Sequence, residues 1–370
     1  MPNDEGMTNV QMTESAATFF RHSSFVIRLT TVLVLLIVSA ISPILQAADI
    51  LDLVPPTDND ALFSGGGPAF YQYIERDYKG VKSTPWEGGQ YGFVRDPIET
   101  PAGMVFTRFH EGIDIRCIHR DANDEPIDEV RAIADGKVVH TNMAAGYSNY
   151  GKYIVVEHHW DGCSYYSLYA HLSAIGVAPG QQVTRAQRIA TMGHTGNGID
   201  RPRSHLHLEL NLMLSHRFES WYDTYFKTEP NRNGIYNGIN LTGIDIARFY
   251  LALHKNPALT IPEFLSREEP FFKVRFPRSK YFELPKMYPW MIAPTPAAGA
   301  RSWEVSFTQA GLPIRVESSA VTTNEPALVF VKESPIDYRY LTMNHIAGTG
   351  KNAHLTDTGR SLMRLLIFPD

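Results

Sequence analysis

The stretch Ser204-His205-Leu206-His207-Leu208-Glu209-Leu210 decides the fold. Polar and apolar residues alternate strictly through it, the period with which a β-strand sends side chains to opposite faces. A helix would set His205 and His207 roughly 200° apart around its axis. A strand points both the same way, with Glu209 beside them and Leu206, Leu208 and Leu210 turned into apolar packing. Such a face reads either as the solvent side of a half-buried strand or as part of a catalytic centre, and the H-x-H pair alone does not choose.

Two further pieces need explaining with it. Upstream stands Phe109-His110-Glu111-Gly112-Ile113-Asp114-Ile115. Histidine and aspartate both ligate zinc directly, and a catalytic zinc takes three protein ligands while keeping one position for water. His110, Asp114 and one histidine of the H-x-H pair would make that set. The third piece is Tyr169-Ala170-His171-Leu172-Ser173, a histidine closing an aromatic-rich apolar run.

Taken in order, HEGIDI (110–115), ADGKVV (134–139), YGKYIVVEH (150–158), YAHLS (169–173), APGQQV (178–183) and SHLHLEL (204–210) resemble the LytM/lysostaphin-type zinc metallopeptidases, mostly peptidoglycan endopeptidases. The resemblance runs from about Tyr91 to Leu210. It implies a LytM-like antiparallel sheet of barrel-sandwich type and one zinc per chain. It also implies zinc ligands at His110, Asp114 and His207, with His171 and His205 as catalytic histidines that do not bind the metal. In that mechanism the metal brings water towards a pKa of about 7, and the two histidines exchange protons with water, oxyanion and leaving amine. Glu209 is on the right face to assist a ligand, or is a solvent-facing strand acid. Two departures touch the rim: Ala186 stands where the family has glycine before Gln187, and residues 197–203 form a lengthened loop.

Length and composition fit this reading. The 370 residues are 44% hydrophobic and 20% charged, as in ordinary globular proteins, and suffice for more than one domain. A net charge of -5 leaves no broad basic surface, so nucleic acid is not an expected partner. Residues 29–47, LTTVLVLLIVSAISPILQA, follow Arg21, His22 and Arg28 and end in small residues, the layout of a secretory signal cleaved near Ala47 or Ala48. The alternative is an uncleaved anchor, the one way this chain would touch a membrane. Export places the protein in the periplasm or cell envelope. Cys117 and Cys163 are the two cysteines; they form a disulfide, or are two buried small side chains.

The expected organisation is a signal at 1–48, a turn-rich lead-in at 49–90, the catalytic domain at 91–215, a helical and Pro/aromatic-rich extension at 216–298, and a small β-rich module at 299–370. Short strands are expected at 130–134, 137–140, 153–158 and 164–169, with Asp161-Gly162 as a hairpin turn. His158 and His159 beside that turn are expected to face solvent. Helical candidates are 222–226, 244–253 and 261–264, and 266–296 reads as a covering segment or linker. His119, His140, His194, His216, His254, His345 and His354 match no motif and read as surface or structural histidines. The implied function is zinc-dependent cleavage of the peptide cross-links of peptidoglycan, with its stem peptides as substrate. The rivals are an inactive relative that activates a wall amidase, and a peptidase acting on secreted proteins. Inactive relatives characteristically lack metal ligands, whereas all five positions are filled here.

Overall fold

The computed structural model describes residues 51–73, 77–82 and 84–370. The apolar run at 29–47 lies outside them. Among the described residues no helix is long and apolar enough to cross a membrane.

The strand His205–Met213 lies one position in from the edge of a seven-stranded antiparallel sheet. Its neighbours on one side are, in order outward, Cys163–Ala170, Tyr153–Trp160, Gly136–Asn142 and Gln182–Val183. Its other side is shared: Ile113–Arg116 pairs with residues 205–208, and Leu241–Gly243 with 211–213. The sheet is open and does not close into a barrel. Both faces of the central strand are buried. Leu206, Leu208, Leu210 and Leu212 are fully covered, as the alternation predicts, but so are His205, His207, Glu209 and Asn211. The polar face is the floor of a cleft rather than a solvated surface.

Register sets the cleft. His207 lies opposite Asp114 on one side and Ala170 on the other, which puts His171 one residue past the end of the neighbouring strand. A long hairpin, Gly92–Thr100 with Gly103–His110, arches in before this point, and its last residue is His110. The chain then turns through Glu111-Gly112 into Ile113. Gly112 is required, because a Cβ there would come 2.3 Å from the Leu208 carbonyl oxygen.

Several local readings are met. Asp161 and Gly162 both have positive φ (50° and 72°), the conformation of a two-residue hairpin turn. Helices run over Phe218–Tyr225, Ile246–Lys255 and Ile261–Leu265. Asp245 caps the second by accepting from the Arg248 N–H, and Asn256 follows its end. Both cysteines are buried and free, which decides against the disulfide; Cys117 Sγ donates to Asp128.

Two readings are corrected. His158 does not face solvent: alternation along Tyr153–Trp160 turns it inward, where it bonds the Asp135 carbonyl and Ser167 Oγ, both at 2.7 Å, and stacks on Trp160. His159 does face outward. Residues 266–296 are not merely a linker, since Phe272–Pro277 is an inner strand of a four-stranded antiparallel sheet. The order there is Pro313–Ser319, Ser302–Phe307, Phe272–Pro277, Ala327–Val331. The β-rich module ends in a helix, Asp357–Leu365, capped by Thr356.

This second sheet does not have a core of its own. One continuous buried cluster joins Ile113, Leu208 and Tyr169 of the seven-stranded sheet through Phe218 and Phe249 to Phe272, Val305 and Ile367. The lead-in joins it too: Leu51, Phe70 and Tyr71 are buried, and the Gln72 N–H donates to the Asp114 carbonyl at 2.8 Å.

Candidate metal centre and its cleft

His110 Nε2, Asp114 Oδ1 and His207 Nδ1 form a triangle with sides of 3.0 Å. All three side chains are buried. The far nitrogen of each ring is committed elsewhere. His110 Nδ1–H donates to the Gln90 carbonyl at 2.7 Å, and His207 Nε2–H to Glu209 Oε1 at 2.7 Å. Both hydrogen bonds fix the tautomer whose remaining lone pair points inward. The second oxygen of Asp114 takes a 2.6 Å hydrogen bond from Arg95 Nη2, and Arg95 is itself steadied by the Gly88 carbonyl. Three converging donor atoms suit a small divalent cation, which would take the place of the proton that His207 otherwise shares with Asp114. Ligands of a tetrahedral zinc with bonds of about 2.1 Å lie about 3.4 Å apart, so small movements would accommodate one.

The electrostatics agree. Burial would raise the Asp114 carboxyl, but the imidazoles of His110 and His205 and the Arg95 guanidinium outweigh it and hold the group well below the usual carboxylate range. Burial takes His110 down to about 4, so it is neutral at pH 7. Burial also acts on His207, yet its hydrogen bonds to Asp114 and Glu209 prevail and hold it up at about 9. In the metal-free protein a proton on His207 therefore bridges to Asp114. Glu209 is completely buried and ionised: burial works against it, and hydrogen bonds from His207, Tyr150 (2.7 Å) and Asn211 (2.8 Å) overcome that.

His171 and His205 stand beside this triangle. Their rings meet edge-to-face with centroids 4.7 Å apart, and the His171 ring is 5.7 Å from that of His207. Each is pinned through Nδ1–H to a backbone carbonyl, His171 to Thr195 at 2.9 Å and His205 to Arg203 at 2.6 Å. That turns Nε2 of each into the cleft, where the one of His205 lies 3.4 Å from Asp114 Oδ1. Burial, then the neighbouring imidazoles, depress His171 far below the ordinary value; burial also lowers His205. His171 has a positive φ of 64°, and Gly196 comes so near that a Cβ there would stand 3.1 Å from its Nδ1.

The structure thus brings together all five residues picked out in the sequence. Glu209, left open between two roles, is a buried partner of His207. Arg95 and Tyr150 were missed. Tyr150 sits within a quoted motif but carries no signal of its own; Arg95 lies on the hairpin before the first quoted motif. Of the seven histidines outside the motifs, His345 lines the same cleft. Ala186, at the family's glycine position, has a φ of 64°. The 197–203 loop is not confined to the rim, since its Arg203 carbonyl holds His205.

Residues 108–217 match Peptidase family M23. The chain is 43% identical over 76 residues to the peptidoglycan DD-endopeptidase ShyA of Vibrio cholerae serotype O1, covering 20% of this chain and 16% of that protein. It is 40% identical over 79 residues to the murein hydrolase activator NlpD of Escherichia coli strain K12, covering 21% of this chain and 18% of that one. The chain thus spans less than a fifth of the length of these two relatives. The lipoprotein NlpD of Yersinia enterocolitica is 38% identical over 79 residues, 21% of this chain and 72% of that protein. Among solved structures, the catalytic domain of lysostaphin from Staphylococcus simulans is 28% identical, covering 35% of this chain and 84% of that one, with a TM-score of 0.23. With a relative covered over most of its length and the five motif positions drawn together, the chain belongs to peptidase family M23, the LytM/lysostaphin type.

Proposed function

We propose that this protein is an exported zinc endopeptidase that hydrolyses peptide cross-links of peptidoglycan. The observation that carries the reading is the pairing of a three-donor centre with two neutral histidines that present Nε2 to the same cleft, that of His205 3.4 Å from Asp114 Oδ1. His110, Asp114 and His207 would hold the metal, which when bound supplies Lewis-acid polarisation of the scissile carbonyl and acidifies water. His171 and His205, neutral at pH 7, accept the proton of the attacking water at Nε2, donate to the developing oxyanion and return a proton to the leaving amine. Arg95 keeps the Asp114 carboxylate ionised and oriented, and Glu209 does the same for His207. The signal-like run at 29–47 and the wall-related relatives support export to the periplasm or cell envelope, with peptidoglycan stem peptides as the partner.

The test is zinc content together with mass analysis of fragments released from purified cross-linked peptidoglycan. One zinc and chelator-sensitive release of cross-link peptides are expected. His171→Ala and His205→Ala should keep the zinc and lose turnover, whereas Asp114→Ala and His207→Ala should lose the metal. Zinc lost equally from all four would sink this division of roles. The likeness to a murein hydrolase activator favours one second reading, a binding protein that switches on a separate wall hydrolase. Failure to bind zinc, together with stimulation of an amidase, would establish it.

A further inference from the structure

The catalytic residues occupy one part of a cavity of about 1520 Å³. Pockets for small ligands run to about 300–1,000 Å³, so this one has room for more than the peptide around a scissile bond. Its other arm lies outside the family's segment. It runs between the helix Phe218–Tyr225 with its following residue Phe226, and the C-terminal module, where His345 lines it. Trp221 Nε1 donates to the Ser361 carbonyl at 2.9 Å and ties the two walls together.

His345 is the unusual group here. Only 7% of it is exposed, yet its buried Nδ1 has no hydrogen-bond partner. Burial alone takes it down to about 4, so the ring is neutral. That Nδ1 edge packs against Gly311, where a Cβ would come 3.3 Å from it, so the nitrogen left to meet a ligand is Nε2. The two residues before it, Met343 and Asn344, both take left-handed φ (51° and 61°), a costly way to present a side chain. The lining of the same cavity is also aromatic. Trp221 and Tyr222 form its depth, and Phe226, 39% exposed, stacks on Tyr222 at 4.5 Å and leaves ring surface open. The charged residues of this arm, Glu229, Arg232 and Asp357, are exposed at its rim.

A wall of aromatic surface with a buried neutral imidazole does not suit an ionic ligand. The remaining nitrogen of a neutral imidazole donates or accepts one hydrogen bond according to its tautomer, which matches a hydroxyl or acetamido group, and aromatic faces take the apolar side of a sugar ring. We propose that this arm is a subsite for a neutral N-acetylated sugar of the glycan strand to which the cleaved peptide is attached. The inference rests on the peptidoglycan reading above.

Two measurements on the full-length zinc-loaded chain separate it from that reading. The first is an NMR titration with the disaccharide of N-acetylglucosamine. The second compares kcat/KM on a cross-linked stem peptide with and without its disaccharide. Saturable binding is expected, and a preference of about tenfold for the sugar-bearing peptide, the size of one or two hydrogen bonds. Both should fall about tenfold in Phe226→Ala, whose ring is 39% exposed, and in His345→Asn. Equal kcat/KM for the two peptides with no sugar binding overturns the subsite while leaving the peptidase intact. Sugar binding that neither variant weakens also overturns it. Variant-sensitive sugar binding without any peptide cleavage upholds the subsite and sinks the peptidase.

Discussion

Replacing Glu209 by glutamine separates a residue that tunes a metal ligand from one that merely fills a strand. The carboxylate is fully buried and accepts from His207 Nε2, the Tyr150 hydroxyl and Asn211 Nδ2. In Glu209→Gln the amide oxygen can keep the first two bonds. The new amide nitrogen then faces Asn211 Nδ2, donor to donor. Asn211 can relieve this by turning its amide over, because its Oδ1 has no partner to lose among the described residues. Shape and hydrogen bonding are thus retained, and the negative charge behind His207 is what disappears. Loss of such a partner weakens metal binding about 10- to 100-fold, equivalent to roughly 1.4–2.7 kcal/mol. Glu209→Ala differs, since it strands the His207 and Tyr150 donors, at about 1–3 kcal/mol each. Competition against a chromophoric chelator, paired with thermal unfolding of the metal-free protein, distinguishes the two. Glutamine should lower zinc affinity with little change in melting temperature, and alanine should lower both. Wild-type affinity in Glu209→Gln would refute the argument and return Glu209 to a structural role.

Three other outcomes follow from the geometry. Arg95→Met removes the 2.6 Å charge-assisted bond to Asp114 and should weaken zinc binding about tenfold or more, measured by the same competition; unchanged affinity would make Arg95 incidental. Ala186 is an exposed alanine at a φ of 64°, so Ala186→Gly should stabilise the fold by about 1 kcal/mol and raise the melting temperature by about 2 °C, and a lower melting point would contradict this. His158 is neutral when folded, held by burial at about 4 against an ordinary value of 6.5. The unfolded chain therefore binds the extra proton first, and stability present above pH 6.5 drains away as pH falls towards 4, on the order of 3 kcal/mol for this group. Urea unfolding across that window should be less steep by one proton in His158→Gln; an unaltered slope would be inconsistent with a buried neutral ring.

The catalytic sheet was legible because its chemistry sits on period-two strands with turn residues between them. Leu206, Leu208 and Leu210 announced a buried face, and Asp161-Gly162 announced its hairpin. What alternation cannot tell is whether the opposite face is covered. His158 and Glu209 were both open to a solvent reading, and both are buried by neighbours distant in sequence: Asp135 and Ser167 for one, Tyr150 and Asn211 for the other. Arg95 was invisible for a similar reason, since its hairpin is brought to Asp114 by folding and not by spacing. The Phe272–Pro277 strand hid among prolines and aromatics because its partners begin at Ser302 and Ala327. His345 has no motif, and only its place in the cavity marks it.

The uninterrupted core beneath both sheets has a consequence for how the molecule comes apart and how it evolves. Cutting after residue 217, where the family segment ends, would lay bare Leu208, Leu210 and Leu212 together with the faces of Phe218 and Phe249 that cover the same cluster. The C-terminal module is therefore not a bead on a string that can be exchanged for another while the peptidase carries on. Residues 51–370 should melt in one cooperative step. A lineage that altered the module's sheet would be altering the catalytic floor in the same stroke, so the wall of the cleft and the centre within it are inherited as one object.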